Sequence, residues 1–265
     1  MNKSTVKSFF YFLFFYIGTI NGQNIDSFYN SSLANIEEDF IRLNRVDKIN
    51  ISKAYLLKAK QDNNPIKIAN GYYLKTLTYS HKKVAVIYTD SIIQASAVLE
   101  DKTILAKGYL QKGIQNYYQS QYNAALDNYI IAKKYFEKTN NKIGILTVRH
   151  YIGVLKSVSF KLDESLQLFK DNFNYLVNNN LDTVYRSQYL KSLLSLSVSY
   201  SRNEILDSAE VYFLKGIKET KNEDEYLYSH FLAGYGANSY IKQDYNTSLD
   251  NFKKATYFLK TKEIV

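Results

Sequence analysis

Four times along this chain a small residue is followed, 12, 16 and 19 positions later, by a second small residue, an aromatic and a third small or compact polar residue. The sets are Gly113, Ala125, Tyr129 and Ala132; Gly153, Ser165, Phe169 and Asn172; Ser197, Ala209, Phe213 and Gly216; Gly236, Ser248, Phe252 and Ala255. Their anchors are spaced by 40, 44 and 39 residues. Fainter copies start at Tyr72, with Val84, Tyr88 and Ser91, and at Phe40, with Ser52, Leu56 and Ala59. A period near 40 residues marks stacked units, each too small to bury its own apolar face and each covered by its neighbours.

Between the anchors, apolar residues recur every three or four positions, the spacing of an amphipathic helix. The pattern predicts helices over 27–43, 47–61, 65–80, 83–99, 102–118, 121–138, 141–159, 162–178, 182–201, 204–220, 223–242 and 245–260. With one Pro and 10 Gly in 265 residues, the chain lacks the turn residues that an all-β domain of this length needs. Pro65 suits the first turn of its helix, where no backbone N–H is required. Within a hairpin, a small residue lets two backbones approach, and the aromatic one turn further on fills the groove against the next helix.

These residues resemble the tetratricopeptide repeat family. The resemblance is carried by Gly113, Tyr122, Ala125, Tyr129 and Ala132, then by Leu196, Tyr200, Ala209, Phe213 and Gly216, and it spans roughly residues 26–260. It implies an all-α, right-handed superhelical solenoid of about six antiparallel hairpins. The weak copies cover 26–100 and the clear ones 102–138, 141–178, 182–220 and 223–260. The unit is longer here than the family's roughly 34 residues, and the proline that closes each unit is missing. On those two points related two-helix solenoids stay open.

Residues 1–22 are read as a secretory signal peptide. Lys3 and Lys7 precede an uncharged apolar core at 8–20, and the polar Asn21-Gly22-Gln23-Asn24 follows. Cleavage after Gly22 is expected, with an uncleaved amino-terminal anchor as the alternative. The repeat domain is then 23–265, in a periplasmic or otherwise exported setting. No later segment has the 18 uncharged apolar residues of a membrane span. Loss of Lys3 and Lys7 lowers the net charge from +9 to +7. The remaining basic residues are dispersed among acids, which does not fit a nucleic-acid partner.

The sequence holds no constellation for catalysis, a cofactor or a metal. There is no Cys, and His81, His150 and His230 are far apart without metal-ligand spacing. Gly234 and Gly236 lack the third glycine of a dinucleotide loop and read as close-packing residues. Asp163-Glu164 and Glu37-Glu38-Asp39 read as helix-start and surface acids. In the resembling family the first helices of each pair line a concave wall. The corresponding positions include Lys107, Tyr117, Tyr118, His150, Lys191, Arg202, His230 and Tyr240, with no acid among them. The expectation is a mildly basic, Tyr-bearing face for a protein or peptide segment, acidic or carboxylate-ended.

No helix is predicted to cover Phe252, Ala255 and Phe258 in the last unit. An exported array of this kind resembles the periplasmic repeat region of bacterial AraC-type regulators and sensor histidine kinases. The expected function is therefore non-enzymatic: the sensory, protein-binding part of a signalling or transcription-regulatory protein whose effector domain is not in this chain. The alternative is a structural adaptor of envelope assembly or secretion.

Overall fold

The computed structural model describes residues 25–79 and 83–260. The signal-peptide expectation for residues 1–22, and His81, lie outside them. Every regular element among the described residues is a helix: α1 (residues 25–30), α2 (Leu33–Arg42), α3 (Arg45–Gln61), α4 (Pro65–Thr78), α5 (Lys83–Ser96), α6 (Thr103–Tyr118), α7 (Tyr122–Lys138), α8 (Lys142–Val158), α9 (Leu162–Asn178), α10 (Arg186–Arg202), α11 (Leu206–Thr220), α12 (Glu225–Ile241) and α13 (Tyr245–Lys260). The all-α array of helix hairpins expected from the repeat is the observed fold class.

The chain forms two compact units, residues 1–144 and 145–265, dividing in the first turn of α8. In the first unit α3 packs on α4, α4 on α5, α5 on α6 and α6 on α7. In the second, α9 packs on α10, α10 on α11, α11 on α12 and α12 on α13. Alternate helices also touch: α2 with α4 and α4 with α6 in the first unit, α10 with α12 in the second.

The helix boundaries follow from local chemistry. Asn44, Asn64 and Asp224 each cap a helix by accepting a hydrogen bond from the backbone N–H three residues on, and Pro65 opens α4 as expected. One boundary differs from the sequence reading. The helix expected over 27–43 is broken at Ser31-Ser32, where Ser31 Oγ donates back to the Ser27 carbonyl and Ser32 caps α2. Two adjacent serines offer the backbone a turn that competes with helix continuation.

Seven helix ends are closed in one way. Asn63, Ser120, Asn140, Phe160, Asn180, Glu204 and Gln243 adopt left-handed backbone, with φ between 48° and 65°, and none is glycine. In each case the next residue's N–H reaches a carbonyl five positions back, from Asn64 to Ala59, Gln121 to Asn116 and Leu181 to Leu176 among others, at 2.8–3.1 Å. This is the two-bond closure that satisfies the orphan carbonyls of a helix end.

The repeat offsets are helix crossings. A Cβ built on Gly113 would stand 2.5 Å from the Tyr129 ring, and one on Gly153 would stand 2.8 Å from Phe169. Ser165 Oγ donates to the Gly153 carbonyl at 2.9 Å in the same crossing. Ala125, Tyr129, Ala132 and Ala209 are fully buried, and Phe169, Phe213 and Ala255 nearly so. Asn172 holds the third position by donating to the Leu146 carbonyl at 2.8 Å.

One register expectation changes. The faint copy placed at Tyr72, Val84, Tyr88 and Ser91 lies one residue further on: those four are only half-buried, whereas Tyr73, Ala85, Thr89 and Ile92 form the buried line. The offsets of 12, 16 and 19 are kept, and Tyr73 stands 40 residues before Gly113. The slip arose because this crossing has no glycine to mark it. In the last copy Phe252, which no helix was expected to cover, is 40% exposed, whereas Ala255, expected uncovered with it, is 3% exposed.

Phe160 is the bulkiest of the left-handed residues and is 83% exposed, so its ring contributes little burial while its backbone carries the full left-handed strain. Phe160→Gly is expected to stabilise the protein by about 0.5–1 kcal/mol, read as a higher denaturant midpoint. A lower midpoint would mean that the ring holds a contact that offsets the strain.

Candidate functional site

The candidate residues fall into two groups, one in each compact unit. In the first unit the expectation of a free basic residue at Lys107 is corrected. Lys107, on α6, forms an ion pair with Glu37 on α2, and its ammonium lies 5.1 Å from the centre of the Tyr73 ring on α4. Both charged side chains are largely buried, at 17% and 22% exposure. Glu37 was read as a surface acid, yet it sits on this wall and neutralises its lysine. Tyr117 and Tyr118 stand at the end of α6, where the Tyr117 ring packs against Tyr118 at 5.5 Å and Tyr122 at 5.9 Å.

In the second unit α8, α10 and α12 supply the wall. Two side-chain contacts tie α8 to α10: Arg202 donates to Ser157 Oγ, and Ser195 Oγ lies 3.4 Å from His150 Nδ1. Lys191, one turn before Ser195, raises the electrostatic cost of protonating His150. The acid nearest in effect to Lys191 is Asp224, whose side chain caps α12 by accepting from Leu227 N–H at 2.9 Å. His150, Lys191, Ser195 and Asp224 are thus one neighbourhood, with Arg202 and Ser157 about two turns further along α10 and α8.

The other two candidates stand apart from it on α12. His230 packs its ring 4.2 Å from Tyr226, and its Nδ1 lies 2.8 Å from the Tyr226 carbonyl, as for a donating N–H. Tyr240 is 62% exposed at the far end of α12, 5.6 Å from the Tyr245 ring.

The electrostatics follow from partial desolvation. Burial, with the charge of Lys191 second, pushes His150 from its ordinary value down to about 4. Burial also lowers Lys191, while Asp224 pulls it the other way. Lys191 remains exposed and forms no ion pair among the described residues, and Arg202 is satisfied only by a serine hydroxyl. Two cations therefore share the wall with one capping carboxylate.

Sequence reasoning missed Ser195 and Asp224. Ser195 was within reach, because it lies four residues after Lys191 and therefore on the same helix face. Asp224 becomes visible only once α12 is set beside α10. Among the described residues no cluster of His, Cys, Asp or Glu is arranged to hold a metal ion, and no helix is long and apolar enough to cross a membrane.

The low value for His150 changes the pH behaviour expected of a histidine-bearing wall, because this ring stays neutral through pH 6.5. A histidine whose folded value lies below its unfolded value binds protons more readily when unfolded. Its contribution to stability is complete above about pH 6.5 and is lost as pH falls towards 4, by at most about 1.4 kcal/mol per pH unit. His150→Gln is expected to flatten that acid limb in denaturant titrations at pH 4–7. An unchanged slope, or a His150 resonance titrating near 6.5, would contradict the assignment.

No family model and no curated protein matches the sequence at a significant level. Solved structures do resemble the fold. BtubC (BKLC) from P. vanneervenii is similar at 12% identity with a TM-score of 0.65, over 83% of this chain and 93% of that one. A putative kinesin light chain of Podosopora anserina with nearly identical TPR-like repeats is similar at 10% identity and a TM-score of 0.54, over 77% of this chain and 96% of that one. A signal transduction ATPase with numerous domains from Pyrococcus horikoshii, described as having a tetratricopeptide repeat sensor, is similar at 16% identity and a TM-score of 0.60. That match covers 86% of this chain and 37% of the ATPase. At these identities the likeness concerns the fold, a tetratricopeptide-like array of helix hairpins.

Proposed function

We infer that this chain is an exported binding module that holds a protein segment, acidic or ending in a carboxylate, against the α8–α10–α12 wall, as the sensory part of a signalling or regulatory protein. The observation that carries the reading is Lys191, an exposed side chain on α10 that makes no ion pair among the described residues. A ligand carboxylate would supply the missing partner, as charge-assisted hydrogen bonds do in peptide-recognition surfaces. Arg202, about three turns further along the same helix, would hold a second acceptor. The sensory role draws support from the Pyrococcus horikoshii ATPase, whose own repeat array is described as a sensor. The export step rests on the basic, apolar and polar order of residues 1–24.

The ligand reading is tested with a labelled Asp/Glu-rich peptide bearing a free carboxylate, titrated at low and physiological salt beside its amidated form. Lys191→Gln is expected to weaken binding about tenfold, and salt to weaken it further. Lys107→Gln should have no such effect, since Lys107 already has Glu37. Equal affinity for wild type and Lys191→Gln would move the site elsewhere.

Export is tested separately by intact mass of the protein recovered from the cell envelope. A mature chain beginning at Gln23 is expected; one beginning at Met1 would make residues 1–22 an anchor.

A further inference from the structure

Counted from the anchor of each repeat, one position returns as a lysine. Lys67 stands six residues before Tyr73, Lys107 six before Gly113 and Lys191 six before Ser197. Equal distance from a helix crossing puts the three side chains on corresponding faces of α4, α6 and α10. In the first unit both lysines are satisfied from within the chain, by α1 and α2. Lys67 donates to the Tyr29 carbonyl, and its ammonium lies 4.5 Å from the centre of the Tyr29 ring. Lys107 donates to Glu37, with its ammonium over the Tyr73 ring. Lys191, at the same repeat position in the second unit, makes no ion pair among the described residues.

The carboxylate on Lys107 is thus built in. A group held by the same fold acts on its partner at an effective concentration of about millimolar or more, so a free acidic segment at lower concentration does not displace it. Lys107 and Glu37 are also 17% and 22% exposed, which leaves water little part in screening the pair. α2 itself does not depend on Glu37 for its place, because Ile36 and Phe40 are buried in the core with Tyr55 and Leu74.

We propose that the first unit holds a latent second site for an acidic protein segment, with Lys107 as its cation, the Tyr73 ring beneath it, and Glu37 as the built-in occupant that keeps it closed. The proposal rests on the reading of Lys191 as a carboxylate-binding residue and extends it to the repeat-equivalent lysine. Glu37 takes on Lys107 the place that a ligand carboxylate takes on Lys191. A ligand reaches Lys107 only when the Glu37 side chain swings away, while Ile36 and Phe40 hold α2 where it is.

The probe is the labelled Asp/Glu-rich peptide with a free carboxylate, titrated at low salt against the full chain carrying Lys191→Gln, which silences the second unit's wall. Adding Glu37→Ala is expected to raise its affinity about tenfold or more, and adding Lys107→Gln to that protein should remove the gain. Glu37→Gln keeps the side chain's size and an acceptor oxygen for Lys107, so it should fold as the wild type does and give a smaller gain with the same dependence on Lys107. Circular dichroism and the thermal midpoint show which variants are folded. Absence of a Lys107-dependent gain in the folded variants overturns the proposal. A gain that persists with Lys107→Gln also overturns it, since it reports the loss of an acid's repulsion and no opened site. The two readings fail separately: wild-type binding indifferent to Lys191→Gln removes the second unit's site, whereas the gain on losing Glu37 depends on Lys107 alone.

Discussion

An aromatic ring laid over a position that lacks a Cβ is the contact on which the rest of this structure depends. Tyr129 over Gly113, Phe136 over Gly144, Phe169 over Gly153, Phe213 over Gly234 and Phe231 over Gly216 all place ring carbons where a Cβ would clash. Each ring enters the space one helix vacates, so adjacent helices close to backbone contact and exclude water along the crossing. Ring and gap lie on different helices, and each helix has two neighbours. A pair of helices can exchange both, as α11 and α12 do reciprocally through Gly216 with Phe231 and Gly234 with Phe213. The recurrence of such crossings gives the sequence its period. It also explains why composition can be relaxed elsewhere, down to the non-glycine residues that end the helices.

The fold was legible where this contact leaves a chemical trace. Gly113 with Tyr129, and Gly153 with Phe169, pair a glycine and a ring at one fixed separation, and the helices around them begin and end within a few residues of expectation. Legibility failed where the same crossing is made by other means. Tyr73, Ala85, Thr89 and Ile92 occupy the repeat positions without a glycine or a distinctive ring at the third place, and the register slipped by one. The Ser31-Ser32 break is a matter of side-chain competition for backbone groups, which apolar periodicity does not record.

The candidate wall was legible in a weaker sense. Helical spacing put Lys191 and Arg202 on one face of α10, and Ser195 belonged to that face too. What sequence spacing could not carry is the charge balance between helices. Lys107 and Glu37 are 70 residues apart and meet only because α2, α4 and α6 lie in register. The consequence is that the candidate cations of the two units differ in kind. Lys107 is already compensated, while Lys191 is desolvated without a partner, and the same desolvation removes His150 as a charge carrier. Among the described residues the lysine of the first unit's candidates is thus paired, and that on α10 of the second unit is not.

Repetition supplies a reference that a single domain lacks. Because α11 and α13 are built to one plan, each difference between them reports a difference in what lies opposite. Where α11 has Glu210 and Asp207, its neighbour brings Lys242 and a tyrosine hydroxyl; where α13 has Leu249 and Asn246, such a neighbour would bury a lysine against an apolar side chain, which is costly. Had the α13 face been shaped only for water, the simplest changes would have replaced Phe252 and the residues around it by charged ones. Instead the two acids are replaced by leucine and asparagine, the ring stays, and a lysine stands beside it. On those substitutions the outer face of α13 is not matched to a copy of α12, whose Lys242 would meet Leu249 where it finds Glu210 on α11.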